Sequence, residues 1–189
     1  QARAESTAWQ GLFDAYLDMT DPPMAIGAGF NQTTIHPGMD DWAAVSDWAI
    51  TNKEVAAALA TAAEKVIIGL PYGSDAVDAR YRDAGLAAVV RLEPDGEVEV
   101  DFPYMQAFDA FATWTAANLY TQIEAGEYDA AFDAAVSNAR VLRHLCDRQM
   151  LTEKSTAMRL LAESLSVMRD AMYTSVDRIP ADVYARIAT

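Results

Sequence analysis

The residues of this chain best suited to chemistry are few and poorly grouped. Cys146 is the single thiol and His144 lies two residues away, a nucleophile and a base by type. Two residues separate side chains by about 200° on a helix, so one turns inward when the other turns out. Cys146 also completes an apolar spacing, where a free thiol acts as a small hydrophobe. His36 with Asp40 and Asp41 offers one nitrogen and two oxygens to a divalent cation, but one short stretch lacks a second segment to close the coordination sphere. Asp95, Glu97, Glu99 and Asp101 line one face of a strand without the glycine and terminal glutamate that a calcium loop requires. The run Gly69 to Asp75 precedes a helix, yet it has no lysine and ends on an acid where a phosphate would sit. With 28 Asp and Glu any fold brings two carboxylates together, so paired acids by themselves indicate no reaction. The expectation is no catalytic residue, no cofactor and no metal.

Across the whole chain, 14 Lys and Arg against 28 acids give a net charge of −14. That field repels phosphate, and the one basic cluster, Arg140, Arg143 and Arg148, is interrupted by Asp147. Nucleic acid is therefore not an expected partner. Residues 1–102 carry a net −11 and residues 103–189 a net −3, an excess that serves solubility, adaptation to high salt or attraction of cationic ligands. A single Cys forms no internal disulfide, so folding needs no oxidising compartment. The start at Gln1 rather than Met points to trimming by a protease or by expression design. A removed signal peptide would place the protein in a secreted or periplasmic setting, with the cytoplasm as the alternative. No apolar run approaches the roughly 18–20 residues of a membrane span.

The elements that would position any site are mostly helical. Of the 189 residues, 37 are Ala, which favours helices in close contact. Trp9, Leu12, Phe13, Tyr16 and Leu17 predict a helix over about residues 5–19, ended by Pro22 and Pro23. A long loop from Thr20 to Gly38 follows. Asp40 or Asp41 starts a helix carrying Trp42, Val45, Trp48 and Ala49 inward, and Thr51 to Glu54 reads as a capping box for a helix with Val55, Leu59, Ala62, Ala63 and Val66 on one face. Ser74 or Asp75 caps a shorter helix through Tyr81, closed by Gly85. Between Ala87 and Phe102 the period becomes two, with a turn at Glu93–Gly96. This predicts a β-hairpin whose Val face leans on helices. After Pro103 the spacing is helical again. One helix carries Phe108, Phe111 and Thr115, one carries Tyr128, Phe132, Ala135, Ala139, Leu142 and Cys146, and one carries Met158, Leu161, Leu165, Met168 and Met172. A short last helix begins at Pro180.

The fold class expected is mainly α, an antiparallel helical bundle or α-hairpin array with one small β-hairpin. It forms a single domain over 1–189, divisible into an N-terminal subregion 1–102 and a C-terminal helical subregion 103–189. The turn Gly126, Glu127, Tyr128, Asp129, Ala130, Ala131 resembles the helix-to-helix junction of tetratricopeptide repeats, in which Gly, an aromatic and a small Ala let two helices approach. The match covers that turn, and no second copy follows. The helices between Gly126 and Tyr173 also resemble segments of large uncharacterised secreted bacterial helical proteins, a likeness that implies a fold and no activity.

These patterns point to a non-enzymatic helical interaction or structural domain, part of a larger secreted or envelope protein, with a protein partner or a second copy of the chain as the occupant of its surface. The alternative is a hydrolytic domain using carboxylates of the acidic N-terminal half. The loop Thr20–Gly38 is the expected seat of function, because Met24, Ile26, Phe30 and Ile35 would be costly to leave in water. They either extend the core between the first helix and the Trp42 helix, or form a partner-contact surface from Met24, Ile26 and Phe30 with Trp42 and Trp48.

Overall fold

The computed structural model describes residues 7–27, 29, 31–92 and 94–187. Its elements are α1 (Trp9–Asp18), α2 (Trp42–Thr51), α3 (Val55–Ala63), α4 (Ala79–Asp83), β1 (Val89–Leu92), β2 (Val98–Asp101), α5 (Met105–Ala125), α6 (Tyr128–Leu145), α7 (Leu151–Thr174) and α8 (Ala181–Ile187). Short 3-10 turns at Met24–Ile26, Gln32–Thr34 and Ser74–Ala76 punctuate the loops. The protein is mainly α with one small antiparallel hairpin, as the periodicities predict.

The axis of the body is α5. Fourteen of its 21 residues are buried, and from Phe111 to Thr121 no side chain faces solvent. A helix covered all round belongs at the centre. Here α6, α7, α2 and α1 all pack on it, while α3 bridges α6 and α1. Ala112, Ala116 and Ala117 bring the neighbouring helices close, and Phe108, Phe111 and Trp114 fill the space that remains. Two of its buried hydroxyls are partnered: Thr115 Oγ1 donates to the Phe111 carbonyl at 2.7 Å, and Thr121 Oγ1 meets Ser46 Oγ at 3.1 Å. Gly126 ends the helix at φ +81°, with its own N–H on the Ile123 carbonyl and the Glu127 N–H on the Gln122 carbonyl at 2.9 Å. That pair of bonds satisfies the last carbonyls and turns the chain back into α6.

Several expected details differ. Thr51 is the last residue of α2, and its hydroxyl donates back to the Asp47 carbonyl at 2.9 Å, so no capping box forms before α3. The break is made by buried Asn52 instead. Val66 lies beyond α3 and is exposed. The segment after Gly69 forms a 3-10 turn first, and α4 starts later, with Asp78 accepting from the Arg80 N–H at 3.0 Å. Gly85 takes the expected left-handed conformation at φ +74°. The first helix begins at Trp9, and the part of its expected span at residues 5 and 6 lies outside the described residues, as does Glu93 of the hairpin turn. The Val face of the hairpin does not lean on the helices: Val90, Leu92 and Val98 are exposed.

Gly69 fixes the entry of the chain into α1. At φ +74° it faces Thr7, and a Cβ there would lie 2.3 Å from Thr7 Cγ2. Thr7 bridges Ile67, and the Trp9 N–H donates to the Ile68 carbonyl at 3.0 Å, so the contact cannot relax without freeing that bridge. Gly69→Ala is expected to cost about 1–3 kcal/mol in urea unfolding. Gly96→Ala, at φ +88° with open space around it, serves as the control and should cost only the left-handed strain of about 1–2 kcal/mol without loosening α1.

Candidate functional site

A cleft of about 450 Å³ opens where α1 ends and the loop after it crosses α5. Tyr16, Leu17 and Met19 come from the end of α1, Thr20, Asp21, Pro22, Ile26 and Gly27 from the loop, and Trp48 from α2. Gln106, Asp109, Ala110 and Thr113 of α5 form the far wall. The chain makes this shape because Pro22 and Pro23 forbid continuation of α1 and send it out extended, while Ile26 folds back to full burial.

Both ends of the loop are tied. At its start the Trp48 indole N–H donates to the Thr20 carbonyl at 2.9 Å. Asn52 Oδ1 accepts the Thr20 N–H at 2.9 Å, and its Nδ2 donates to Thr20 Oγ1 and to the Trp48 carbonyl. Further along, the Gly29 N–H donates to Asp109 Oδ2 at 3.2 Å. Gln32, almost fully buried, donates to Glu163 Oε2 at 3.3 Å and accepts from Ser164 Oγ at 3.0 Å. Arg159 joins Glu163 at 2.8 Å and Asp109 at 3.4 Å. The cleft thus has a preformed wall rather than a loose flap.

Its electrostatics are negative from two directions, the α1 C-terminus and Asp21, while Arg159 answers the charge of Asp109. The carbonyl end of α1 points toward it with no basic residue in the last turn. Asp21 stands exposed on the rim, and Asp109 lies in the far wall. The Tyr16 hydroxyl is pushed above its ordinary range, first by burial and then by the nearby Asp21 charge, so it stays a neutral donor.

The partner-contact residues predicted from sequence separate. Ile26 and Trp48 meet in the cleft, both buried. Trp42 lies elsewhere, half-buried against Tyr120 with its indole N–H on Glu124 Oε2 at 2.9 Å. Met24 is fully exposed beside Ile26, and Phe30 lies outside the described residues. Ile35 is buried, so this part of the loop extends the core. Tyr16 reads in the sequence as one more residue of the apolar face of α1, and Asp109 carries no local signal at all.

The other groups considered for chemistry stay apart from the cleft. His36 is exposed, its Nδ1 2.9 Å from the Pro37 carbonyl. Asp41 adopts a left-handed conformation at φ 58° before α2 without capping it. Cys146 is half-buried against the core, and burial pushes its thiol above the usual range, which disfavours the thiolate. Among the described residues no three His, Cys, Asp or Glu side chains stand close enough to share a metal ion, and no helix is long and apolar enough to cross a membrane. No family model, curated protein or solved structure matches this chain.

Proposed function

We propose that this chain is a non-enzymatic binding module whose cleft takes an alkylammonium or guanidinium group on a short apolar stem, such as a Lys or Arg side chain presented by a partner protein. The observation that carries the reading is the meeting of the α1 C-terminus and the exposed Asp21 carboxylate at a space walled by Tyr16, Trp48, Leu17, Met19 and Ile26. The carboxylate supplies the charge match, aromatic faces attract a cation, and aliphatic walls take the stem. Hydrolysis by paired acids is less well supported. Asp109 is committed to Arg159 and to the Gly29 N–H, which leaves Asp21 without a second free carboxylate among the residues lining the cleft. The antiparallel α5–α6 turn at Gly126 supports the tetratricopeptide-like reading of that junction alone.

Titration of the ¹⁵N-labelled protein with butylguanidinium tests the proposal. Shifts confined to the Trp48 indole and the amides of Gly27 and Asp109 are expected, with a dissociation constant on the order of 1 mM or below. Butyrate should leave the spectrum unchanged. Leu17→Lys, at a half-open position of the rim, places a tethered cation in the cleft and should weaken binding at least ten-fold without loss of helicity. Equal response to butyrate, or binding untouched by this variant, would overturn the reading.

A further inference from the structure

The hairpin carries a second surface, independent of the cleft. Its register places Val90 opposite Val100 and Leu92 opposite Val98, so these four side chains share one face of the two-stranded sheet. Val90 is 63% exposed, Leu92 74% and Val98 64%, which leaves most of that face in water. The opposite face pairs Val89 with Asp101 and Arg91 with Glu99. Arg91 bonds Asp101 and reaches Glu99 at 3.7 Å, so one guanidinium answers two carboxylates, with Glu97 exposed just before the strand.

A hairpin of two four-residue strands is marginal in water, and covering its apolar face or adding a strand is what stabilises such a unit. The edge of β2 specifies what that strand must be. Side chains of an added strand alternate between the two faces, one set continuing the Val90, Leu92, Val98, Val100 surface and the other lying beside Glu99 and Asp101. A second copy of β2 on the same edge would set carboxylates against carboxylates, and an acidic segment would do the same. We propose that the outer edge of β2, unpaired among the described residues, accepts an extended segment of a partner protein in which Lys or Arg alternates with Val, Ile or Leu.

The test uses the full chain and three synthetic heptapeptides: alternating Lys and Val, the same composition with Lys and Val in separate blocks, and alternating Glu and Val. Binding is followed by fluorescence anisotropy of the labelled peptide and by amide shifts of the protein. The alternating Lys peptide should bind at least ten-fold more tightly than the block peptide, shifting the amides of Val98 to Asp101, while the Glu peptide should not bind. The double variant Glu97→Lys, Glu99→Lys, at exposed positions, should lose at least ten-fold affinity with the far-ultraviolet circular dichroism of the helical body unchanged. Equal binding of the two Lys peptides would mean general attraction to an acidic protein and would overturn the proposal. So would shifts clustered away from β2, or a hairpin-mediated dimer that the peptide fails to dissolve.

Discussion

Glu153→Ala is expected to destabilise the protein by about 3–5 kcal/mol, measured by urea unfolding, because it strands a buried cation. Glu153 is fully buried in the first turn of α7. Its carboxylate accepts from Arg148 Nε at 2.8 Å, from the Tyr72 hydroxyl at 2.6 Å and from the Tyr104 hydroxyl. Arg148 also donates to the Leu70 carbonyl and stacks over the Tyr72 ring at 4.0 Å, while the Gln149 N–H caps the Tyr72 oxygen at 2.9 Å. One carboxylate therefore ties the α6–α7 turn to the Leu70–Tyr72 loop and to the residue preceding α5. Removing it leaves a guanidinium only 11% exposed with no anion. Replacing both partners together, Arg148→Met with Glu153→Leu, should recover most of the loss, since no uncompensated charge remains. A double variant as unstable as Glu153→Ala alone would show that the tyrosine bonds, not the ion pair, carry the effect.

The same contacts give the protein an alkaline limit. Burial, then the bond to Glu153, pushes the Tyr104 hydroxyl well above its ordinary value of 10.0, and Tyr72 moves the same way. Burial together with the hydrogen bond to Asp14 raises Tyr81 to about 12. In the unfolded chain these phenols release their protons near pH 10, so above that value the unfolded state binds fewer protons than the folded one and stability falls as pH rises. Below pH 10 both states hold the protons and the contribution is constant. Tyr81 sits at the edge-to-face cluster of Trp9 and Phe13, so this loss strikes the packing of α1 on α4.

What could be read from the sequence was whatever rests on apolar period and on turn residues. Pro22, Gly85, Gly126 and the alternation from Val98 to Asp101 mark their elements because each acts through local backbone geometry. The centrality of α5 was half visible: Phe108, Phe111 and Thr115 declared one face, but no period marked Thr113, Ala117 and Thr121 on the other sides, and they too are buried. Polar residues enter a core by finding partners far along the chain, and no local pattern encodes that. Thr121 meets Ser46, Asn52 meets Thr20, and Glu153 meets Tyr72 and Tyr104. The cleft was illegible for the same reason. Ile26 and Trp48 stood out as large apolar side chains, whereas Asp109 and Tyr16 acquire meaning only when α1 and α5 are placed side by side.

Distant polar partners also decide which face α7 turns inward. Apolar spacing predicts a buried row at Met158, Leu161, Leu165, Met168 and Met172, yet Met158 is 61% and Leu165 50% exposed. The buried residues are Glu153, Ala157, Leu160, Ser164, Val167, Met168 and Ala171. The helix is rotated by about one residue because its polar anchors must face inward. Glu153 has to reach Arg148 at one end, and Ser164 must donate to Gln32 and accept from Asn138 Nδ2 at 3.3 Å in the middle. Unpartnered, such groups would cost more than leaving two apolar side chains half in water. Leu160→Ala is therefore expected to cost about 2–5 kcal/mol, since Leu160 is wholly buried and its removal leaves a cavity. Leu165→Ala should change stability by no more than about 0.5 kcal/mol. Paired urea melts of the two variants decide the register. A large loss at Leu165 with a small one at Leu160 would mean that the hydrophobic period, and not the Glu153 and Ser164 anchors, sets the orientation of α7.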